Sequence, residues 1–383
     1  MKSGEGNGKR IKTRWPGIYR QGGHYTVTVR VPDGEGGLKQ KWLAARTVEE
    51  AKRIKSDTET KVKDGSYVAP SRQTVGEFMA EWLPAIERSI AATTYASYRM
   101  HVRRYIAADL GHVLLQRLDT PTINTFYSGL LSSHRLSPAS AIRVHATLHR
   151  ALRDARRWGR VVRNAAAGAT LPRARRPEMR TWSADQLRQY LAHVREEPLY
   201  PAYLLLATTG MRRGECLALR WLDVDLGAGR VAVRRSLIPV GGELRFEEPK
   251  SRRNRSVALD TGTIAALKVH RVKQAGERLA LGHGRPSDDD LVFTHPDGSP
   301  IAPGGLSQQF ALRARRANLP PIRLHDLRHT HASLALGAGV HPKVVQERLG
   351  HSTVALTLDL YSHVAPAMEE DAAERVAGLF LGD

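Results

Sequence analysis

His325-Asp326-Leu327-Arg328-His329 sets a histidine and an arginine three residues apart, a spacing that puts both on one face of a helix. Downstream stand His351 and Tyr361, and far upstream stands Arg212, within Thr209-Gly210-Met211-Arg212. Two arginines, two histidines and a tyrosine suit attack on a phosphodiester without a metal. Arginine forks grip phosphate oxygens two at a time. Histidine moves protons near neutral pH, and tyrosine can act as a covalent nucleophile.

The rest of the chain points to the same kind of substrate. Its 383 residues suffice for two or three domains, each with its own core. Lys and Arg number 59 against 38 Asp and Glu, a net charge of +21. That excess implies a polyanionic partner, most simply nucleic acid. The bland alternative is a basic enzyme from an arginine-rich proteome. Cys216 is the one cysteine, so a disulfide framework and a cysteine-rich zinc site are excluded, and a reducing cytoplasm fits. Flanked by Glu215 and Leu217, it reads as a buried helix residue. No apolar run reaches membrane-spanning length, and the basic N-terminus lacks the apolar stretch of a signal peptide.

Punctuation divides the chain. Residues 1–11 read as a disordered tail. His24 to Val31 alternates with period two between Gly-rich turns, and a further strand runs over about 38–44. Thr47-Val48-Glu49-Glu50 is a capping-box signature for a helix reaching about Lys63. Residues 12–65 are therefore expected to form a three-stranded sheet plus a helix. Within residues 1–63 there are 15 Lys and Arg against 7 acids, which favours a sheet laid against DNA over a merely solvated charged face. A linker leads to about four helices over 72–170, with Thr120-Pro121 and Ser137-Pro138 as starts. From Arg143 to Arg180 there are 11 arginines, no lysine and two acids, Asp154 and Glu178. A phosphate-backbone track explains that imbalance better than a solvated face does. The Pro- and Arg-rich stretch 171–180 reads as a linker. Ser183-Ala184-Asp185-Gln186 is a second capping box that opens a mainly helical domain over 181–365. It is expected to hold helices at about 184–195, 200–209 and 212–221, and strands near 230–238, 243–248 and 254–259. Residues 366–383 carry five acids from Glu369 onward, with Val376, Leu379 and Phe380 placed to dock a tail helix on a neighbouring copy.

At this point the C-terminal part resembles the tyrosine recombinases, the phage-integrase family. Thr209-Gly210-Met211-Arg212-Arg213-Gly214-Glu215 resembles the family's first-arginine box, with Arg212 in the catalytic position. Pro249-Lys250-Ser251, ahead of Arg255-Ser256-Val257, resembles the lysine segment and implicates Lys250. His325 to His329 resembles the His-x-x-Arg box, Leu349-Gly350-His351-Ser352 the second-histidine box, and Thr357 to His363 the box of the nucleophile, Tyr361. Five boxes in register are a specific signal. Less specifically, residues 72–170 resemble the family's helical, SAM-like core-binding domain, although Asn164-Ala165 stands where many members have Asn-Pro. Residues 12–65 resemble the arm-binding domain of some integrases.

The resemblance implies a multidomain, mainly α fold with small β elements, and a site-specific recombinase that integrates or excises a phage or mobile element. It implies a 3′-phosphotyrosyl intermediate that conserves bond energy, so neither ATP, metal nor cofactor is expected. The implied partners are double-stranded DNA attachment sites and a homotetramer on DNA, with an excisionase and a DNA-bending protein as candidate helpers. The chemistry assigns roles accordingly. Arg212 and Arg328 stabilise charge on the phosphate oxygens. His325 is the candidate base for the tyrosine proton, and Lys250 the candidate acid for the leaving 5′-oxygen. His351 donates to a phosphate oxygen.

Two other classes compete. His325, His329 and His331 could ligate a metal, but the zinc-protease pattern needs Glu after the first His, where Asp326 stands. Asp288-Asp289-Asp290 could suit a metal nuclease, though an acidic turn is the simpler reading. A DNA-binding regulator would account for the charge but not for five filled catalytic boxes.

Overall fold

The computed structural model describes residues 10–33, 37–174, 179–248, 255–351, 353–355, 358, 377 and 380. The chain splits into two compact units, Met1–Arg175 and Arg176–Asp383.

The first unit opens with an antiparallel sheet in the order β1 (Ile11–Lys12), β2 (Ile18–Gln21), β3 (His24–Pro32) and β4 (Leu38–Ala45). It therefore has four strands, not the three expected. The extra strand is only two residues long, too short to show a period, and pairs Ile11 with Arg20 and Lys12 with Tyr19. Ile11 thus belongs to the sheet and not to a tail. Val27, Val29 and Val31 of β3 point inward and are buried. They face α1 (Val48–Lys63), where Ala51 is fully buried. Thr47 caps α1 by accepting from the Glu50 backbone N–H, while the Glu50 carboxylate accepts from the Arg46 N–H. The opposite face of the sheet is polar and aromatic. Thr28 sits across from Trp42, and Arg30 from Gln40. Trp42 is partly exposed, with the Tyr19 ring 5.2 Å away and the Arg10 guanidinium 4.1 Å from its centroid.

Helices follow: α2 (Val75–Ile86), α3 (Ala92–His101), α4 (Ala107–Leu110), α5 (Thr120–Ser132) and α6 (Pro138–Arg157). A single π-turn, Val102–Ile106, joins α3 to α4, so the two make one longer helix with a widened turn. Thr74 and Glu77 form a reciprocal capping box on α2. The buried stripe of α6, Val144, Leu148, Leu152 and Ala155, packs with Phe78, Trp82 and Ile123. Asp154 is the buried acid on that helix. It accepts from the Trp82 indole at 3.0 Å and lies 3.5–4.0 Å from Arg150, Arg153 and Arg157.

The second unit contains α7 (Ala184–His193), α8 (Tyr200–Thr209) and α9 (Arg213–Leu217), then β5 (Val224–Asp225), β6 (Arg230–Val233), β7 (Ser236–Val240), β8 (Glu243–Glu247) and β9 (Arg255–Ala258). It ends with α10 (Thr261–Ala280), α11 (Pro303–Arg316), α12 (Asp326–Gly337) and α13 (Pro342–Leu349). Ser183 and Gln186 cap α7 reciprocally, as their spacing predicts. The expected 230–238 strand is two strands in two sheets: β6 pairs with β5 and β9, whereas β7 pairs with β8. Helix α9 stops earlier than expected, because Trp221 and Val292 exchange backbone bonds with Asp290 and Leu219 instead. The core centres on Trp182, Tyr190, Tyr203 and Phe310, with ring centroids 5.0–6.1 Å apart. Such aromatic pairs add about 1 kcal/mol each beyond area burial.

Candidate active site

The site is built where α8, α9, β9, α12 and α13 meet. Helix α8 ends at Gly210, in the left-handed conformation at φ +64. A Cβ there would lie 2.5 Å from Leu349 and 2.8 Å from His331, so glycine is the residue that fits. The Gly210 carbonyl accepts from Arg328 Nη1 at 2.8 Å, which ties α12 to the end of α8. Arg328 is 3 % exposed. Its side chain is thus held in place by the fold.

Arg212 is the N-cap of α9. Its backbone N–H and its Nη1 each donate to the Glu215 carboxylate at 2.8 Å. Glu215 is 1 % exposed and is gripped from its other side by Arg255, at 2.6 and 3.1 Å. Burial pushes the Glu215 carboxyl up, but the hydrogen bonds and charges of Arg255 and Arg212 outweigh it and hold it below its ordinary range.

His325 is the N-cap of α12 and stands edge-on to His329, with ring centroids 5.3 Å apart. Asp326 fixes this helix start by accepting from the Arg323 backbone N–H at 2.8 Å and from its guanidinium at 2.7 Å. His351 follows Gly350, which ends α13 at φ +69. Burial pushes His325 down to about 4, and the neighbouring His329 and Arg328 charges add to the effect. His351 is likewise pushed down to about 4, first by burial and then by Arg328 and Arg212. Both rings are therefore neutral near pH 7. Arg212 and His325 line one cleft, Arg328 is tied to Gly210 beside Arg212, and Arg255 joins the Arg212 partner Glu215 to the turn before His351, so four of the six expected residues, Arg212, Arg328, His325 and His351, lie around one locus. Lys250 and Tyr361 lie outside the described residues. A cleft of about 600 Å³ beside the site is lined by Arg212, Arg213, Ile238, Arg323 and His325.

The rival readings fare differently. His331 turns away, its Nδ1 3.0 Å from the Ala207 carbonyl oxygen. Among the described residues no three His, Cys, Asp or Glu could hold a metal ion. Asp288, Asp289 and Asp290 pair with Arg271, Arg220 and Arg278 at 2.6, 2.8 and 3.5 Å, so they knit a turn together. Sequence reasoning quoted Glu215 and Arg255 without giving either a task. The i, i+3 step from Arg212 to Glu215 is a helix-start signal that could have found the first. The second was hidden in the run Arg252, Arg253, Arg255.

Comparison with known proteins identifies the family. The model of the phage integrase family matches residues 180–368, and that of the phage integrase N-terminal SAM-like domain matches 74–131. A XerC-like tyrosine recombinase of Caldanaerobacter subterraneus is 27 % identical over 379 residues, spanning 94 % of this chain and 97 % of that protein. An integrase of Streptomyces ambofaciens is 27 % identical, over 91 % of this chain and 97 % of that one. Among solved structures, the Tn1549 transposon integrase bound to a circular-intermediate DNA aligns with TM-score 0.66 at 19 % identity, over 78 % of this chain and 99 % of that chain. A lambda integrase dimer on a core site aligns with TM-score 0.58 at 18 % identity, over 92 % and 96 %. The chain belongs to the phage integrase family of tyrosine recombinases.

Among the described residues no helix is long and apolar enough to cross a membrane.

Proposed function

We propose that this chain is a site-specific DNA integrase that cleaves and rejoins DNA through a 3′-phosphotyrosyl link, without metal or ATP. The observation that carries the reading is the convergence of two anchored guanidinium groups on two neutral imidazoles. Arg212 and Arg328 are held by Glu215 and the Gly210 carbonyl, so they can meet a phosphate with little reorganisation. Charge that builds on the non-bridging oxygens as phosphorus becomes five-coordinate would fall between them. A neutral His325 can accept the Tyr361 proton, and a neutral His351 can still donate its N–H to a phosphate oxygen. Lys250 would protonate the leaving 5′-oxygen. Because the tyrosyl ester retains the energy of the broken phosphodiester, rejoining needs no nucleotide.

The partners follow from surfaces. The outer face of the N-terminal sheet, with Arg10, Arg30, Gln40 and Trp42, suits an arm-type DNA site. The arginines of α6 suit the backbone of a core site. We read residues 11–65, 72–170 and 181–365 as the arm-binding, core-binding and catalytic domains, acting in the cytoplasm of a bacterium. A lambda integrase tetramer has been solved on a Holliday junction. A tetramer on paired attachment sites, with residues 366–383 docking in trans and an excisionase and a bending protein setting direction, is the corresponding assembly here.

The test is covalent capture. Nicked duplexes tiled across the DNA flanking the coding sequence are incubated with protein in EDTA. One of them should trap a protein–DNA adduct, and Tyr361→Phe should bind that duplex without trapping it. An adduct that persists in Tyr361→Phe would remove Tyr361 as nucleophile, and one that needs added metal would remove the mechanism.

A further inference from the structure

Arg255 has no task in the chemistry above, yet it joins three elements of the site. It opens β9, and its side chain is 10 % exposed. Its Nη1 and Nη2 donate to the two oxygens of Glu215, and its Nε donates to the Arg348 carbonyl at 3.1 Å. Its Cδ lies 3.1 Å from where a Cβ on Gly350 would stand, so it packs on the turn that delivers His351.

Glu215 is a shared carboxylate. Oε1 accepts from Arg212 Nη1 and Arg255 Nη1, while Oε2 accepts from the Arg212 backbone N–H and Arg255 Nη2. A carboxylate presents one fork for a two-pronged arginine. Arg255 fills that fork, and the Arg212 side chain is left with a single-pronged contact.

We propose that Arg255 is a positioning residue: by occupying the fork of Glu215 it stops that carboxylate from drawing Arg212 into a closed two-pronged ion pair, and so keeps Arg212 available to the scissile phosphate. This rests on the reading of Arg212 as a phosphate ligand. Without Arg255, a carboxylate 1 % exposed would keep Arg212 as its remaining bonded cation. In a poorly screened interior the two would close on each other. The arginine needed by the substrate would then be spent on the protein.

The proposal predicts that two substitutions restore what one destroys. Wild type, R255M, R255K and the double variant E215Q/R255M are compared on the nicked duplex that traps the wild type. Binding is followed by gel shift and cleavage by the rate of adduct formation. R255M should bind within about twofold of wild type but form adduct at least about tenfold more slowly, in the range of a lost electrostatic donor. E215Q/R255M should form adduct faster than R255M, since a neutral Gln no longer captures Arg212. R255K, which can hold one oxygen but not both, should fall between wild type and R255M. A purely structural Arg255 predicts the same order in folding stability, because R255M leaves a buried carboxylate unpaired, but no slowing once the rate is taken per folded, DNA-bound protein, so thermal midpoints are measured alongside and rates are read at saturating duplex.

Should R255M fail to fold, the double variant decides alone. Removing one buried charge of each sign, it should fold and cleave within about tenfold of wild type, and a folded double variant that binds DNA without cleaving overturns the proposal. So does R255M or R255K at the wild-type rate, or a double variant no faster than R255M. Absence of an adduct from the wild type on every duplex would instead overturn the function on which this role rests.

Discussion

Replacing Gly210 by alanine tests how the site is assembled without altering a group that does chemistry. Two costs can be worked from the structure. Alanine in the left-handed conformation at φ +64 costs about 1 kcal/mol. The new methyl would also stand 2.5 Å from Leu349 Cδ2 and 2.8 Å from the His331 ring. Leu349 is fully buried and His331 is tethered to the Ala207 carbonyl, so neither can swing aside. Overpacking of that kind costs about 1–3 kcal/mol more. Gly241 is the matched control: it has the same φ of +64, but nothing lies within 4 Å of an added Cβ. In thermal unfolding of the full chain, Gly241→Ala should lower the midpoint of the C-terminal unit by roughly 2–4 °C, and Gly210→Ala by roughly 4–16 °C. Because the Gly210 carbonyl holds Arg328, adduct formation should slow in the second variant and not in the first. Equal midpoints for the two variants would refute the crowding argument, whatever happened to activity.

Two further outcomes are expected. His325, His331 and His351 are each pushed down to about 4 from 6.5, so between those values the unfolded chain binds more protons than the folded one. Their contribution to stability is full above about pH 6.5 and is lost as pH falls towards 4. An unfolding midpoint of the C-terminal unit that stays flat across that window would contradict it, and added sulfate should soften the slope by offsetting the arginine charges. Deleting residues 1–65 should spare core-site binding, which should still weaken steeply with salt, but impair recombination between complete attachment sites. Undiminished recombination by the shortened chain would remove the arm-binding role.

Elements with strong local signals could be read in the sequence. The Thr47, Ser137 and Ser183 starts and the alternation of His24 to Val31 are decided by near neighbours, and each appears where spacing puts it or close by. What escaped depends on distant partners. The Ile11–Lys12 strand exists because Tyr19 and Arg20 offer it backbone bonds. The split between β6 and β7 follows from pairing with β9, more than 20 residues away. In the site, Arg212, His325, Arg328 and His351 were recognisable because their boxes resemble a family pattern. Glu215 carried a local signal in its i, i+3 step from Arg212, but Arg255 gains meaning only once the fold brings β9 against α9, a 40-residue separation that no local pattern encodes.

The π-turn at Val102–Ile106 makes this part of the chain intolerant of length changes. One surplus residue in a helical turn offsets everything beyond it by about 100°. Before the turn, His101 meets the Thr147 hydroxyl at 2.8 Å; at its end Ile106, and beyond it Leu110, enter the apolar interior. A one-residue deletion here would regularise the helix and gain a better backbone ladder, yet rotate Leu110 off its seat. Natural variants of this protein should therefore accumulate insertions and deletions in the exposed turn around Ser133–Arg135 and spare this pentapeptide.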